Sequence, residues 1–162
     1  NKELSELVCE VKMKYRYATK VENCAKAVGI SLPVSTKKAV EICNMIRGKK
    51  VEVAATMLQQ VIEKKRAVPI RRFARGGTGH RKKMGPGRYP EKSCGQILAL
   101  LNTAIANAQV KGLSNLIIKG ICAQRAAKSF HFGRKRRRKM KRAHIEIVLT
   151  EISKKQTPEQ KK

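Results

Sequence analysis

The densest chemical feature of the sequence is a run of cationic side chains near the C-terminus. Eight of the nine residues from Arg134 to Arg142 are Lys or Arg, and ammonium and guanidinium groups at this density bind phosphate. The chain of 162 residues carries a formal net charge of +27. An excess of this size destabilises a compact state by self-repulsion unless a polyanion neutralises it. Nucleic acid is the first candidate for that polyanion, and an anionic membrane surface is the second.

The chain has little that could support catalysis or hold a metal ion. Its five cysteines and three histidines form no C-x-x-C pair and no metal-ligand spacing. All 11 acidic residues are Glu, so a Ser-His-Asp set is absent, although a Glu could replace the Asp. The glycine-rich stretches GGTGH (76–80) and GPGRYP (85–90) match neither a P-loop nor a dinucleotide fingerprint. We therefore expect no enzymatic activity, no metal and no cofactor.

The cysteines are widely scattered, at positions 9, 24, 43, 94 and 122. Their odd number and lack of close spacing favour buried thiols in a reducing compartment over a metal-binding or catalytic role. Cys43, Cys94 and Cys122 each fall on an apolar helix face or strand, so we expect these three to be buried. No apolar run approaches the ~20 residues that a membrane span needs, and the N-terminus does not resemble a signal peptide. We therefore expect no membrane partner.

Apolar residues recur at helical spacing in three segments. The first lies between Ser35, a candidate N-cap, and Gly48, a candidate for the residue after the helix end. The second spans residues 51–65 and the third spans residues 91–112. The third segment is the most apolar and has no acidic residue after Glu91, so we expect it to lie at the centre of the core.

Two segments near the C-terminus are typical of β-strands. NLIIKGICA (115–123) is rich in β-branched residues, and AHIEIVLTE (143–151) alternates with period two. YRYAT (15–19) alternates weakly and is a third candidate. The two C-terminal strands can pair antiparallel, as a hairpin whose tip, residues 124–142, carries the basic run. A nuclear-localisation signal or a solvated loop is the alternative interpretation of that run.

The chain length fits one domain, which we place at residues 15–151. Inside it, residues 64–92 form a basic insertion with 11 Lys or Arg against the single acid Glu91. Connections of this length are usually functional or disordered. Residues 1–14 predict an amphipathic extension, whose glutamates and apolar stripe favour packing on protein over binding RNA. Residues 152–162 predict a disordered basic tail.

The aromatic content discriminates among nucleic-acid partners. Three Phe, three Tyr and no Trp are too few for the stacking platforms of single-strand binders. Helix-turn-helix and zinc-finger patterns do not occur in the sequence. The chain is therefore interpreted as a phosphate binder that reads the shape of folded RNA more than base sequence. A DNA-compacting protein would not explain the apolar third helix, and an RNA-modifying enzyme would need a cofactor fingerprint.

Seven stretches carry a family resemblance: S-x-K-x-A-V-E (35–41), RGKKVEVA (47–54), KRAVPIRRF (65–73), GTGH (77–80), GPGRYPEKS (85–93), NTAIANAQVKGL (102–113) and AHIEIVLTE (143–151). In this order they resemble the universal large-subunit ribosomal protein L-twenty-two family, called L-seventeen in eukaryotes. The resemblance runs from about Tyr15 to Glu151. The insertion is similar to archaeal or eukaryotic members, with an archaeal leaning. RKRRRKMKR (134–142) departs from the more mixed tip of the family.

The resemblance implies an α+β fold in which three helices pack on a small three-stranded antiparallel sheet, with a long protruding β-hairpin. It implies a structural role in the cytoplasmic ribosome, with large-subunit rRNA, neighbouring large-subunit ribosomal proteins and the nascent polypeptide as partners, and no homo-oligomer.

The same resemblance assigns residues to two kinds of site. The positions that fall where the family binds rRNA are Ser35, Lys37, Lys38, Arg47, Lys49, Lys50, Arg71, Arg72, Arg75, His80, Arg81, Lys82, Lys83, Arg88 and Lys92. The positions that map to the hairpin lining the polypeptide exit tunnel are Lys128, Ser129, Phe130, His131, Phe132, Gly133, Arg134, Lys135, Arg136, Arg137, Arg138, Lys139, Lys141 and Arg142.

Overall fold

The structure is a computed structural model that describes residues 23–74, 78–81 and 84–152. The elements, in chain order, are β1 (Cys24–Leu32), α1 (Thr36–Ile46), α2 (Val51–Ile62), β2 (Val68–Pro69), β3 (His80–Arg81), β4 (Gly85–Arg88), α3 (Glu91–Val110), β5 (Leu116–Arg125), a short 3₁₀ helix (Gly133–Lys135) and β6 (Ala143–Glu151). The predicted N-terminal extension, the candidate strand at 15–19 and the tail after residue 152 lie outside the described residues.

The three predicted helices are all present, with small changes at their ends. α1 begins after Ser35, which occupies the N-cap position, although its side chain makes no capping hydrogen bond. Gly48 follows that helix with a positive φ of 73°, the conformation in which glycine commonly ends a helix. α2 ends at Ile62, three residues before the predicted end, because Lys64 has already entered the left-handed region with a φ of 62°.

The core lies between the helices and one face of a three-stranded antiparallel sheet. The strand order is β1-β6-β5, so β6 is central. α3 packs on β1 and β6, and α1 packs on β5. The predicted stripes supply the buried residues, which are Ala39, Ile42, Cys43 and Ile46 from α1, Cys94, Ile97, Leu101, Ala104 and Ala108 from α3, and Ala143, Ile145, Ile147 and Leu149 from β6. Because α3 also contacts α1 and α2, the prediction that it lies at the centre of the core is confirmed.

β5 and β6 form the predicted hairpin. Their pairing runs from Leu116 opposite Glu151 to Arg125 opposite Ala143. Backbone hydrogen bonds continue beyond the strands, since the N–H of Met140 donates to the oxygen of Ser129 at 2.7 Å. Further out, the N–H of His131 donates to the oxygen of Arg138 at 2.8 Å. The basic run is thus held at the end of a paired structure.

The strand β1 was missed by the sequence analysis. It pairs antiparallel with β6 from Cys24 opposite Thr150 to Leu32 opposite Ala143. Four of the nine residues of its sequence, CAKAVGISL, are Ala, Lys or Gly, which have low β-propensity. Pairing with the well-formed central strand overrides that local preference.

The basic insertion contains a second small sheet, which the sequence did not predict. β4 lies between β2 and β3, and both pairings are antiparallel. Gly87 permits this close approach, because a Cβ at that position would lie 3.0 Å from Arg81 Cγ and 3.2 Å from Ala67 Cβ. The insertion is therefore ordered over much of its described length.

The prediction that three cysteines are buried is confirmed for two of them. Cys43 and Cys94 are buried, whereas Cys122 is only half-buried. The reason is the alternation of β5, because Ile121 occupies the core face opposite Ile147 and its neighbour Cys122 must lie on the other face, opposite Glu146. The prediction for Cys122 was wrong.

We expect these thiols to be alkylated at different rates. Burial raises the pKa of Cys43 and of Cys94 to about 12, so neither holds much of the reactive thiolate at pH 8. The pKa of Cys122 is raised too, by burial and then by the Glu146 carboxylate, but its side chain is partly accessible. Site-resolved mass spectrometry of the native chain with iodoacetamide should show Cys122 reacting about tenfold faster or more.

Equal rates for the three cysteines would show that the helix phases of α1 and α3 differ in solution.

The raised pKa values of Cys43 and Cys94 also make the stability of the fold depend on pH. Above pH 9.0 the unfolded thiols ionise while the folded ones stay protonated. The free energy of unfolding should therefore fall as the pH rises from 9.0 towards 12.

Candidate nucleic-acid interface

The predicted rRNA-binding residues come from α1, from the loop after it, from the insertion and from the start of α3. Ser35 and Lys49 are half-buried, and Arg75, Lys82 and Lys83 lie outside the described residues. The exposed members of the set are Lys37, Lys38, Arg47, Lys50, Arg71, Arg72, His80, Arg81, Arg88 and Lys92. Cations from separate parts of the chain therefore reach the surface.

Phe73 brings α1 and the insertion together. Lys37 Nζ lies 5.7 Å from the centroid of the Phe73 ring, and Arg72 Cζ lies 5.5 Å from it. Both distances fall within the range of a cation–π interaction. Lys37 and Arg72 are 35 positions apart in sequence. Both of these predicted phosphate-binding residues thus lie close to one aromatic ring.

Glu41 fixes the backbone beneath that ring. Its side chain is on the buried face of α1, with 2% of its surface exposed. Glu41 Oε1 accepts a hydrogen bond from the N–H of Arg72 at 2.8 Å and from the N–H of Phe73 at 2.9 Å. A buried carboxylate is stable only when such donors replace its water. The carboxylate therefore ties the insertion to the core helix.

Sequence reasoning missed the role of Glu41, although one signal was available. Glu41 is the only acidic residue from Ser35 to Lys50, a segment that contains five Lys or Arg. It is also adjacent in sequence to Ile42 and Cys43, which belong to the buried stripe. An acid in that position is expected to accept hydrogen bonds from another part of the chain.

The loop after α1 combines a cationic surface with a structural task. Arg47 Nη2 donates to the oxygen of Ile121 at 3.0 Å. The N–H of Gly48 donates to the oxygen of Ile118, and the N–H of Ile118 donates to the oxygen of Lys49, each at 3.0 Å. These contacts extend the sheet at the outer edge of β5. The Arg47 guanidinium is therefore already hydrogen-bonded to the protein backbone, whereas Lys50 is exposed.

The small sheet holds another cation over an aromatic ring. Arg81 Cζ lies 5.4 Å from the centroid of the Tyr89 ring. Arg81 follows His80 on β3, and Arg88 lies on the adjacent strand β4. The second sheet therefore gathers several predicted phosphate binders on short paired strands.

The predicted tunnel-hairpin residues divide into an anchored base and an exposed tip. Arg142 is half-buried at the base, and its Nη1 donates to the oxygen of Ser31 at the end of β1, 3.1 Å away. His131 is half-buried as well. The exposed members are Lys128, Ser129, Phe130, Phe132, Gly133, Arg134, Lys135, Arg136, Arg137, Arg138, Lys139 and Lys141. Arg142 thus positions the hairpin rather than extending its cationic tip.

Within the described parts of the chain, no group of three or more His, Cys or Glu is arranged to hold a metal ion. Among those same residues, no helix is both long enough and apolar enough to cross a membrane.

An α+β core that carries an exposed cationic surface on paired strands defines a basic scaffold protein. Comparison with known proteins specifies the class further. The model of the family described as ribosomal protein L22p/L17e matches residues 27–150. The chain belongs to the ribosomal protein L22p/L17e family.

Curated relatives agree with this assignment over most of their length. A Methanothrix thermoacetophila protein named large ribosomal subunit protein uL22 is 39% identical over 137 residues, which cover 79% of this chain and 90% of that protein. Proteins of the same name from Methanocaldococcus jannaschii and Methanosphaera stadtmanae are 38% and 40% identical over 151 residues, covering 86% of this chain and 96% and 97% of theirs. The family is structural, so the prediction of no enzymatic activity is confirmed.

We expect Glu41 to control the order of the insertion. Glu41→Ala removes the acceptor and leaves two backbone N–H groups unsatisfied, which should lower the free energy of unfolding by about 1–3 kcal/mol. Trypsin should then cut after Arg71 and Arg72 faster than in the unmodified chain. Glu41→Gln keeps an Oε1 acceptor and should show a smaller effect, and Asn44→Ala, at an exposed position of the same helix, should show none. Unchanged cleavage in Glu41→Ala would contradict the anchoring role.

Proposed function

We propose that this chain is a structural component of the large ribosomal subunit that binds rRNA with its cationic surface and lines the polypeptide exit tunnel with its β5–β6 hairpin. Membership of the ribosomal protein L22p/L17e family supports the assignment to the ribosome. Its curated relatives bear the name large ribosomal subunit protein uL22. The chain thereby acts in translation, on cytoplasmic ribosomes.

The observation that carries the finer proposal is the pairing of the basic hairpin. Nine of the fifteen residues from Lys128 to Arg142 are Lys or Arg and none is acidic. These charges repel one another, and a free tail would let them separate. The β5–β6 ladder instead holds them at one place relative to the core. Such an arrangement suits a cationic finger that is inserted between RNA segments.

The second cationic region is the surface shared by α1 and the insertion. Glu41 and Phe73 hold Lys37 and Arg72 together on a fixed backbone. Fixed cations lose less side-chain entropy on binding than flexible ones, and their spacing can match the phosphates of a folded RNA. We assign this surface to rRNA on the outside of the tunnel. Residues 1–14 are assigned to contact with protein, either the domain itself or a ribosomal neighbour.

Affinity for rRNA should depend steeply on ionic strength. Each phosphate contact releases condensed counterions, so the logarithm of the association constant should fall by roughly 0.7–0.9 per log unit of salt for each contact. Filter binding of the full chain to large-subunit rRNA fragments over a series of KCl concentrations measures this slope. A nearly flat dependence would exclude binding through phosphates. Tighter binding to duplex DNA than to the rRNA fragments would favour a DNA-compacting protein.

Removing charge from the hairpin tip should impair assembly without unfolding the chain. Arg136→Gln, Arg137→Gln and Arg138→Gln together should leave the thermal midpoint of the free chain unchanged or slightly raised, because the three side chains are exposed and repel their neighbours. Occupancy of the variant in purified large subunits, or the passage of nascent chains through them, should fall.

The matched control removes the same charge from Lys64, Lys65 and Arg66, which are exposed and are not among the predicted rRNA-binding positions. The ion pairs of Lys64 and Lys65 are exposed, so their loss should change stability little. This control should be incorporated better than the hairpin variant. If the hairpin variant unfolds while free, the basic run belongs to the core and the hairpin proposal is wrong. Equal incorporation of both variants, together with normal passage of nascent chains, would refute the tunnel assignment.

A further inference from the structure

The hairpin tip presents one bare aromatic ring. Phe132 is 89% exposed, whereas Phe130, two residues earlier, is 56% exposed and has Lys139 Nζ 5.2 Å from its ring centroid. An apolar ring of this size in water is unfavourable by itself. Single exposed apolar residues are common on proteins, so the exposure of the ring alone does not indicate a binding site. The residues around the ring do.

The backbone holds Phe132 in a defined place. On one side, the N–H of His131 is bonded to the oxygen of Arg138 across the hairpin at 2.8 Å. On the other side, Gly133 has a φ of 62° and accepts a hydrogen bond from the N–H of Arg136 at 3.2 Å, which closes the short 3₁₀ helix. Phe132 lies between them in extended conformation. The ring therefore projects from a fixed point of the tip.

An open cationic concavity begins at the residue that follows that ring. It has a volume of about 600 Å³ and is lined by the contiguous residues from Gly133 to Arg138, of which all but the glycine are Lys or Arg. The first lining residue is the immediate neighbour of Phe132. Consecutive residues thus carry an aromatic face and a multiply cationic concavity, which complement an aromatic base and a phosphate respectively.

We propose that Phe132 and this concavity form a site for one unpaired nucleotide of RNA, whose base stacks on the Phe132 ring while its phosphate is bound by the cations from Arg134 to Arg138. The site rests on the proposed rRNA binding and deepens it. An unpaired nucleotide is required because the faces of paired bases are covered by their neighbours in the helix. An apolar peptide segment would cover the ring but leave the five adjoining cations without a partner.

The proposal refines the sequence-based argument from aromatic content. Six aromatic residues cannot form a platform for successive bases, but one exposed ring is enough for one base. Because every base has a π-face, stacking is tolerant of base identity. The site is therefore expected to select an unpaired nucleotide by its accessibility, not by its sequence.

The first test uses two RNA stem-loops that differ by one bulged 2-aminopurine. The full chain should bind the bulged RNA more tightly than the fully paired one, and the 2-aminopurine fluorescence should change on stacking. Phe132→Ala should weaken binding of the bulged RNA by about five- to hundredfold, abolish the fluorescence change and leave the salt dependence unaltered. Phe132→Tyr should retain both properties. Val110→Ala, which removes an equally exposed apolar side chain from α3 (90% exposed), should behave like the unmodified chain.

Two failures are distinguishable in this test. Steep salt dependence with equal affinity for the two RNAs, or with no effect of Phe132→Ala, would overturn the nucleotide site and leave rRNA binding in place. Weak binding of both RNAs with a flat salt dependence would overturn rRNA binding itself.

The second test uses assembled particles. A photoreactive phenylalanine at position 132 should crosslink to RNA in purified large subunits, and the adduct should map to an unpaired nucleotide. Crosslinking to a nascent chain or to another protein, without an RNA adduct, would show that a peptide covers the ring and would overturn the proposal. Placed at position 110 instead, the same group serves as the matched control.

Discussion

Electrostatic self-repulsion is the constraint on which this structure depends. The chain carries 38 Lys and Arg against 11 acidic residues, so folding brings like charges together. Apolar burial opposes that repulsion, with Leu101 and Ile97 of α3 fully buried against the sheet. The hairpin tip lies away from this core, whereas the insertion packs Val68 into it and keeps most of its described cations at the surface. Segregating the charge in this way lets one domain be both folded and strongly cationic.

Two of the described carboxylates are buried inside the fold, where they do not neutralise the cationic surface. Glu41 and Glu146 are each 2% exposed. Glu41 joins α1 to the insertion, and Glu146 lies on the central strand β6, opposite Cys122 of β5. At the surface, Glu63 and Glu91 pair with lysines at 2.7 and 3.3 Å, and such exposed pairs contribute little stability. The cationic surfaces are consequently left for an external polyanion.

Sequence periodicity predicted the elements that are long and regular, and it failed where contacts are non-local. α1, α3 and β6 follow their apolar patterns closely, whereas β1 forms because β6 offers it a partner. The second sheet has strands of two to four residues rich in Pro and Gly, a composition that also predicts loops. The hydrogen bonds of Glu41 join residues that are 31 and 32 positions apart. The burial of Cys122 was predicted wrongly because Ile121, not Cys122, lies on the core face of β5. Most of the cationic residues predicted to bind rRNA are exposed. Which of them lie close together depends on these long-range contacts.

The position of the hairpin and the arrangement of the side chains at its tip have different physical causes. Its base is fixed from within, because β6 pairs with β5 on one side and Arg142 is bonded to the end of β1 on the other. The tip has few apolar groups, and the mutual repulsion of its cations favours spread side chains. Binding a polyanion reverses the sign of that interaction, since each cation then gains a partner. The sheet therefore determines where the tip lies, and on the proposed function the arrangement of its side chains depends on binding rRNA.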